Sequence, residues 1–389
     1  MNEKKALFII NILKNIIDVY FDTFFVFYFF KAANYNIVPL AKYYLTLYLF
    51  IGIGFSLIRQ AMKRNAKVPY FRIGISMQAV YIAFIMLLKN KIINYVFLVG
   101  IIKGIADGFY HFPKNIINTE KVLNADRQKF DGIINIINKI VAIIIPLILG
   151  VLLTFISYVN LGKIFFVLFI VMFILSFYFK DDQYSKDNLA MQKFIKLIKI
   201  DRNIKYALCE PLLSGLTFSS GVMATIITLF KIYNFKTNLN LGFVDSICAL
   251  LALVTGILFA TKIKKSSFNK VTLVSGIMAY ISLFVFAIWP SRTTLIFFLL
   301  INSSCITIIS LISSHIITNF SNSEQLNKEF KVEFYLVRDI MYSISRCFGF
   351  IILLLVCIIF GKQYINYIMF LPAFSLLLEA LLIRKINAK

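Results

Sequence analysis

The sequence predicts an all-α integral membrane protein, with twelve transmembrane helices in two pseudo-symmetric six-helix bundles, and three observations carry that prediction. Hydrophobic residues make up 60% of the 389 residues and charged residues only 15%, with a mean hydropathy of +0.83, well outside the soluble range. The apolar stretches are long enough to cross a bilayer and lack the period-2 alternation of a barrel, so each must satisfy its backbone internally as a helix. The second half also repeats the first at an offset of about 204 residues: His111, Asn115, Asn118 and Glu120 recur as His315, Asn319, Asn322 and Glu324, an ungapped H-x3-N-x2-N-x-E that uses both histidines of the chain.

Span 1 covers 6–30, running from Lys4-Lys5 into a stretch with two aspartates and no small-residue cleavage site, which reads as a membrane helix and not a removable signal. Spans 2 to 6 follow at 38–59, 70–89, 93–113, 132–157 and 161–180, each matched to a hydrocarbon core of about 30 Å. In 181–203, Phe194, Ile195, Leu197 and Ile198 interleave with Lys193, Lys196 and Lys199, the pattern of a cytoplasmic linker helix lying along an anionic lipid surface. Spans 7 to 12 fall at 204–230, 239–261, 271–289, 292–316, 334–360 and 364–384. The expected domains are therefore an N-terminal bundle, 1–180, the linker, 181–203, and a C-terminal bundle, 204–389. Gly52-Ile53-x-Phe55 against Gly256-Ile257-x-Phe259 supports the same duplication.

The formal charge of +23 invites a nucleic-acid reading, but most of the 41 Lys and Arg gather at the termini and in the even-numbered connections. That is the positive-inside pattern of a multi-pass cell-membrane protein with both termini cytoplasmic, and it leaves no call for a nucleic-acid partner. Cys209, Cys248, Cys305, Cys347 and Cys357 sit in apolar spans without a CxxC or Cys/His cluster, so they read as packing residues, with no metal or cofactor implied.

Glycine and basic residues after span 2 (Gly54, Arg59 and Lys63), together with twelve spans in two halves, a long middle loop and basic loops after spans 2 and 8, resemble the major facilitator superfamily. Ile58 and Ala61 stand where its loop signature has Asp and Gly. In span 5, Pro146 and Gly150 are what remains of the drug/proton antiporter signature, with Ile145 and Leu149 in place of glycines. The resemblance implies alternating access, the halves rocking about a central site lined mainly by helices 1, 4, 7 and 10.

Ionisable groups near a bilayer centre cost at least about 2.5 to 3.5 kcal/mol and so mark cavities or partners. On span 1, Lys14, Asp18 and Asp22 share one face at i, i+4, i+8; on span 4, Lys103, Asp107 and His111 repeat that spacing. Matching depths on antiparallel helices predicts two interhelical pairs, Lys14 with Asp107 and Asp18 with Lys103, which either fasten the helices together or serve substrate. Asp22 is then left unpaired as a proton carrier or counter-ion. On span 11, Asp339, Ser343 and Arg346 share a face. Arg346 is expected at mid-membrane for an anionic substrate group, and Arg338 and Asp339 at a cytoplasmic gate or a plain interface. The repeat-related His111, Asn115, His315 and Asn319 are expected at gate rims.

No HExxH, Walker loop or GxSxG is present, and the connections are too short for a soluble catalytic domain. The expected function is secondary active transport of a small molecule by a monomer, proton-coupled. The alternatives from other classes are a non-transporting sensor or scaffold on the same fold and a membrane-embedded lipid-modifying enzyme.

Overall fold

The computed structural model describes residues 3–64, 66–121, 124–181, 188–217, 222–263, 267–321 and 326–387. Among these the secondary structure is helical. The helices are α1 (Glu3–Val19), α2 (Val26–Ala32), α3 (Ile37–Lys63), α4 (Lys67–Leu88), α5 (Val96–Lys121), α6 (Asn124–Phe155), α7 (Tyr158–Ser176), α8 (Met191–Ile200), α9 (Arg202–Ser214), α10 (Val222–Phe235), α11 (Asn238–Lys262), α12 (Phe268–Ile288), α13 (Arg292–Ser321), α14 (Asn327–Ile359) and α15 (Phe370–Asn387). Among the described residues ten helices are long and apolar enough to cross a membrane. The two expected spans missing from that set are the charge-bearing first and the seventh, and both are interrupted. Span 1 changes hydrogen-bonding register in a π-helical turn, Tyr20–Phe25, between α1 and α2; span 7 is divided between α9 and α10.

Helix starts are set by local chemistry. Asn36 Oδ1 accepts from the Val38 N–H at 3.1 Å to open α3, and Asp201 Oδ1 accepts from Asn203 at 2.7 Å to open α9. The start of α4 has no cap of its own from Ala66. Asp181, beyond α7, supplies one by accepting from the Lys67 and Val68 N–H groups at 2.9 and 3.0 Å. A carboxylate there also complements the helix dipole.

The chain divides into two compact units, Met1–Leu189 with Thr237–Ser246, and Ala190–Lys236 with Ile247–Lys389. In the first, α5 lies between α3 and α4. Small residues let the backbones touch: a Cβ on Gly100 would stand 2.9 Å from the Tyr43 carbonyl, Gly108 meets Gly54, and Gly74 of α4 abuts the Tyr110 N–H at 2.5 Å. Gly100, Gly104 and Gly108 recur every fourth residue, so one face of α5 is a seam against α3. The first nine residues of α11 pack on α6 in the same way, with Gly242 against the Pro146 carbonyl and Gly150 against that of Asn238.

In the second unit α12 packs on α13 and α15, and α9 on α14 and α15. The linker helix α8 departs from its expected placement on lipid. Phe194 is fully buried with Ile204, Ala207, Leu208, Leu326 and Phe334, and Met191, Leu197 and Ile198 pack on the same cluster. Phe194, Leu197 and Ile198 of the apolar stripe are thus covered by protein, while Ile195 and the lysines Lys193, Lys196 and Lys199 remain exposed. Glu333 fixes the start of α8 by accepting from the Ala190 N–H at 2.9 Å. Of the expected linker, residues 182–187 lie outside the described residues. Leu87, Phe155 and Ile358, each more than 70% exposed, point where acyl chains would lie.

Candidate functional site

The charged stripes of α1 and α5 are present, but their pairing differs from the expectation. Lys103 Nζ binds both oxygens of Asp107, at 2.5 and 2.6 Å, and Lys14 pairs with Asp18; both ion pairs are intrahelical. The physical reason is proximity. Side chains four apart on a helix already meet, and an intrahelical pair needs no second helix to fix its register. Lys14 remains tied to the second stripe, since Asp107 acts on it electrostatically beside Asp18 and Asp22. Asp22 is therefore not the isolated acid expected. It is exposed on the π-helical turn, with Lys14 and Tyr44 in its field.

The glycine seam positions this network. Gly100, Gly104 and Gly108 commit one face of α5 to α3, which turns Lys103 and Asp107 to the adjacent face, where Gln78 Nε2 of α4 donates to Asp107 at 2.9 Å. Lys14, Lys103 and Asp107 are all more than 90% buried, whereas the Asp18 side chain is 38% exposed. Aromatic rings enclose the ammonium groups: Tyr110 lies 5.3 Å from Lys14, and Phe21 and Tyr81 lie 5.4 and 5.7 Å from Lys103. Tyr81 is itself held by Tyr43, hydroxyl to hydroxyl at 2.8 Å. Lys114 adds a further ammonium 5.7 Å from the Tyr110 ring. Gln78 Oε1 and Tyr110 OH are buried with no hydrogen-bond partner among the described residues. The arrangement presents fixed charges of both signs and spare polar atoms, with Asp18 and Asp22 at its accessible edge.

Sequence reading missed Gln78, Tyr43, Tyr81, Tyr110 and Lys114, which bear on the stripes from α3, α4 and α5. It also missed the anchor of the π-helical turn, where Thr23 Oγ1 donates to Asp245 Oδ2 at 3.1 Å. His111 sits edge-on to Tyr110, 5.1 Å between ring centroids, and both it and Asn115 are half-buried. The side chains of His315 and Asn319, on α13, lie outside the described residues, as do Asn322, Glu324 and the Glu120 side chain.

The second unit holds its own polar cluster. Glu210 of α9 is 2% exposed and accepts from Ser313 Oγ at 2.9 Å and from Tyr342 OH at 3.4 Å. Arg338 donates to Tyr342 OH at 3.4 Å, with its guanidinium 5.2 Å from that ring, and acts on Glu210 electrostatically. It is thus placed in a buried network and not at a bare interface. The Arg346 guanidinium stands 5.7 Å from the same ring. Asp339 is buried, and Ser343 donates to its backbone carbonyl at 3.1 Å. No group of three or more His, Cys, Asp or Glu that could hold a metal occurs among the described residues.

The break in span 7 is closed by hydroxyls. Ser345 Oγ of α14 donates to the Leu212 carbonyl at 2.5 Å and Ser375 Oγ of α15 to that of Leu213 at 2.6 Å. The end of α9 is thereby satisfied without water, as irregular backbone at membrane depth requires.

Comparison with known proteins agrees with this architecture. A crystal structure of a D-xylose–proton symporter is similar with a TM-score of 0.71 at 10% identity, covering 98% of this chain and 96% of that one. A bacterial homologue of the iron transporter ferroportin, in its inward-facing state, is similar with a TM-score of 0.67 at 13% identity, covering 99% and 98%. At such identities the likeness is one of fold. The uncharacterized protein YqgE of Bacillus subtilis (strain 168) is 22% identical over 279 residues, which are 71% of this chain and 64% of that protein, so the chain spans less than two thirds of this relative's length. The family model of the Major Facilitator Superfamily matches residues 15–350, nearly the whole helical body, and the chain accordingly belongs to that superfamily of membrane transporters and not to an enzyme family.

Proposed function

We propose that the chain is a secondary active transporter of a small molecule in the cell membrane, with both termini cytoplasmic, working by alternating access and driven by a proton gradient. The observation that carries this reading is the buried cluster of Lys14, Lys103 and Asp107 with Asp18 and Asp22 at its accessible edge. A purely structural role would leave such charges no reason to keep an accessible end, because apolar packing of similar volume is at least as stabilising. Arg346 serves as a second contact for substrate in this scheme, and His111, Asn115, His315, Asn319, Arg338 and Asp339 belong to its gates. The test has two steps. A thermal-shift screen of small molecules on purified protein identifies a ligand, since a ligand that binds the native state stabilises it by mass action. Proteoliposomes are then given that ligand with and without an imposed pH gradient. Accumulation only with the gradient supports the reading, and accumulation indifferent to it removes the proton.

A further inference from the structure

Glu379 is the sole acid of α15, set among leucines at the middle of that helix, in the last third of the final span. It is 0% exposed, and neither carboxylate oxygen meets a hydrogen-bond partner among the described residues. Ser375, one turn earlier on the same face, is hydrogen-bonded to the Leu213 carbonyl of α9, and Glu210 lies one turn from Leu213. The two helices are thus pinned together one turn from each acid, and Glu210 acts electrostatically on Glu379.

The two acids have different surroundings. Glu210 has Ser313 and Tyr342 as donors and the Arg338 guanidinium as counter-charge. Glu379 has no donor and an acidic neighbour, with only Tyr342 also acting across to it from α14. The charges on the other helices against α15 point away: Lys270 of α12, Arg292 of α13 and Arg202 and Lys205 of α9 are exposed, as are Lys362, Tyr364 and Tyr367 in the 3-10 turn before α15. The His315 side chain lies outside the described residues. On the α12 side, Gly276 brings the backbone so close that an added Cβ would lie 2.5 Å from that of Ala380. An ionised carboxylate without donors in a dry interior is prohibitively costly, so a neutral carboxylic acid is the form that fits.

We propose that Glu379 and Glu210 hold a single proton between them and form a proton-binding site in the second unit, separate from the charged stripes of the first. The proton resides on Glu379 in this conformation, and Glu210 stays ionised against Arg338. Release converts the Glu379 carboxylic acid to a carboxylate and passes the proton to water. The inference rests on the proton-coupled reading for its purpose, although its test needs no substrate.

Infrared difference spectroscopy on purified full-length protein during a pH titration reads the site directly. Wild-type protein should show a carboxylic C=O band that is lost at alkaline pH. The band should be absent in Glu379→Gln, a variant that keeps the shape of the neutral acid and should match wild type in melting temperature. Glu210→Gln should retain the band but move its frequency, because a charged neighbour has been neutralised, whereas Asp22→Asn should leave it in place. An unchanged band in Glu379→Gln, or a frequency indifferent to Glu210→Gln, overturns the proposal. Gradient-independent accumulation alongside an intact Glu379 band would instead sink proton coupling and leave the site standing.

Discussion

Lys103 and Asp107 show what a buried ion pair demands of its partners. Removing the carboxylate in Asp107→Asn strands the Lys103 ammonium among Phe21, Tyr81 and Gln78 and should cost about 3 to 5 kcal/mol, while a Lys103→Met/Asp107→Leu double variant should be much milder. Melting temperatures of the two singles and the double in one detergent check this, and additive losses would show that the pair is not coupled. Asp22 makes a separate prediction. As the exposed acid on the π-helical turn, with Lys14 in its field, it should be needed for coupling, so Asp22→Asn should lose gradient-driven accumulation and keep ligand exchange. Full accumulation by that variant would remove Asp22 from the mechanism. The stripes themselves were legible, because i, i+4 spacing places charges on a face. Their pairing was not, because matched depth on two helices says nothing of which partner is nearer. Glu379 carried a readable signal, an acid alone in an apolar span, and was passed over because its partner lies far away in sequence.

At the level of helices, hydropathy located the spans, because burying a backbone in lipid is costly segment by segment, but α5, α6 and α14 run seven or eight residues past the expected ends, where polar residues extend the helix beyond the apolar stretch. The interruptions in spans 1 and 7 were invisible to it. A π-helical turn shifts the hydrogen-bond register by one residue and leaves composition unchanged, and the end of α9 is stabilised from other helices. Ser345 and Ser375 therefore become predictable weak points. Ser345→Ala takes the hydroxyl from the Leu212 carbonyl in an apolar setting and should lower stability by about 1 to 3 kcal/mol, measured as a drop in melting temperature, whereas Ser375→Ala should cost less because the Leu213 carbonyl keeps the Leu216 N–H at 3.3 Å. No drop in Ser345→Ala would mean that the Leu212 carbonyl finds another donor. The seam of α5 gives the opposite kind of test. Gly108→Ala places a methyl against the Gly54 backbone and should cost about 1 to 3 kcal/mol through overpacking, whereas Gly256→Ala, with nothing within 4 Å of the added atom, should be tolerated by the same assay.

For the whole molecule, the duplicated H-x3-N-x2-N-x-E segments motivate a prediction about access. With Cys209, Cys248, Cys305, Cys347 and Cys357 replaced, single cysteines at Asn115 and at Asn319 should change their reaction rate with a membrane-impermeant thiol reagent when ligand and a pH gradient are supplied, as expected of rims that report on two populated states. Rates that never change would take both positions out of any gate. The sequence repeat announced two halves, yet the compact units do not follow it residue for residue, because Thr237–Ser246 packs with the first unit. Gly242 and Ser246 explain this locally: Ser246 Oγ donates to the Ile143 carbonyl of α6 at 2.6 Å, and Gly242 admits Pro146. Such close approaches depend on which small residues face each other, which periodicity alone does not reveal.

The glycine seam also sets where the first unit is stiff and where it yields. Backbone meets backbone where Gly108 faces Gly54, and Gly100 and Gly104 bring the α3 carbonyls of Tyr43 and Leu47 close beside the side chains of Thr46 and Phe50, so α3 and α5 have little side-chain bulk between them along this face and should strain as one piece. The more compliant member facing it is the first helix, whose i→i−4 ladder is interrupted by the π-helical turn Tyr20–Phe25. Displacement within this unit is then expected as a flexing of α1 and α2 against a fixed wall, with Lys103 and Asp107 held on the wall and Lys14, Asp18 and Asp22 on the part expected to travel.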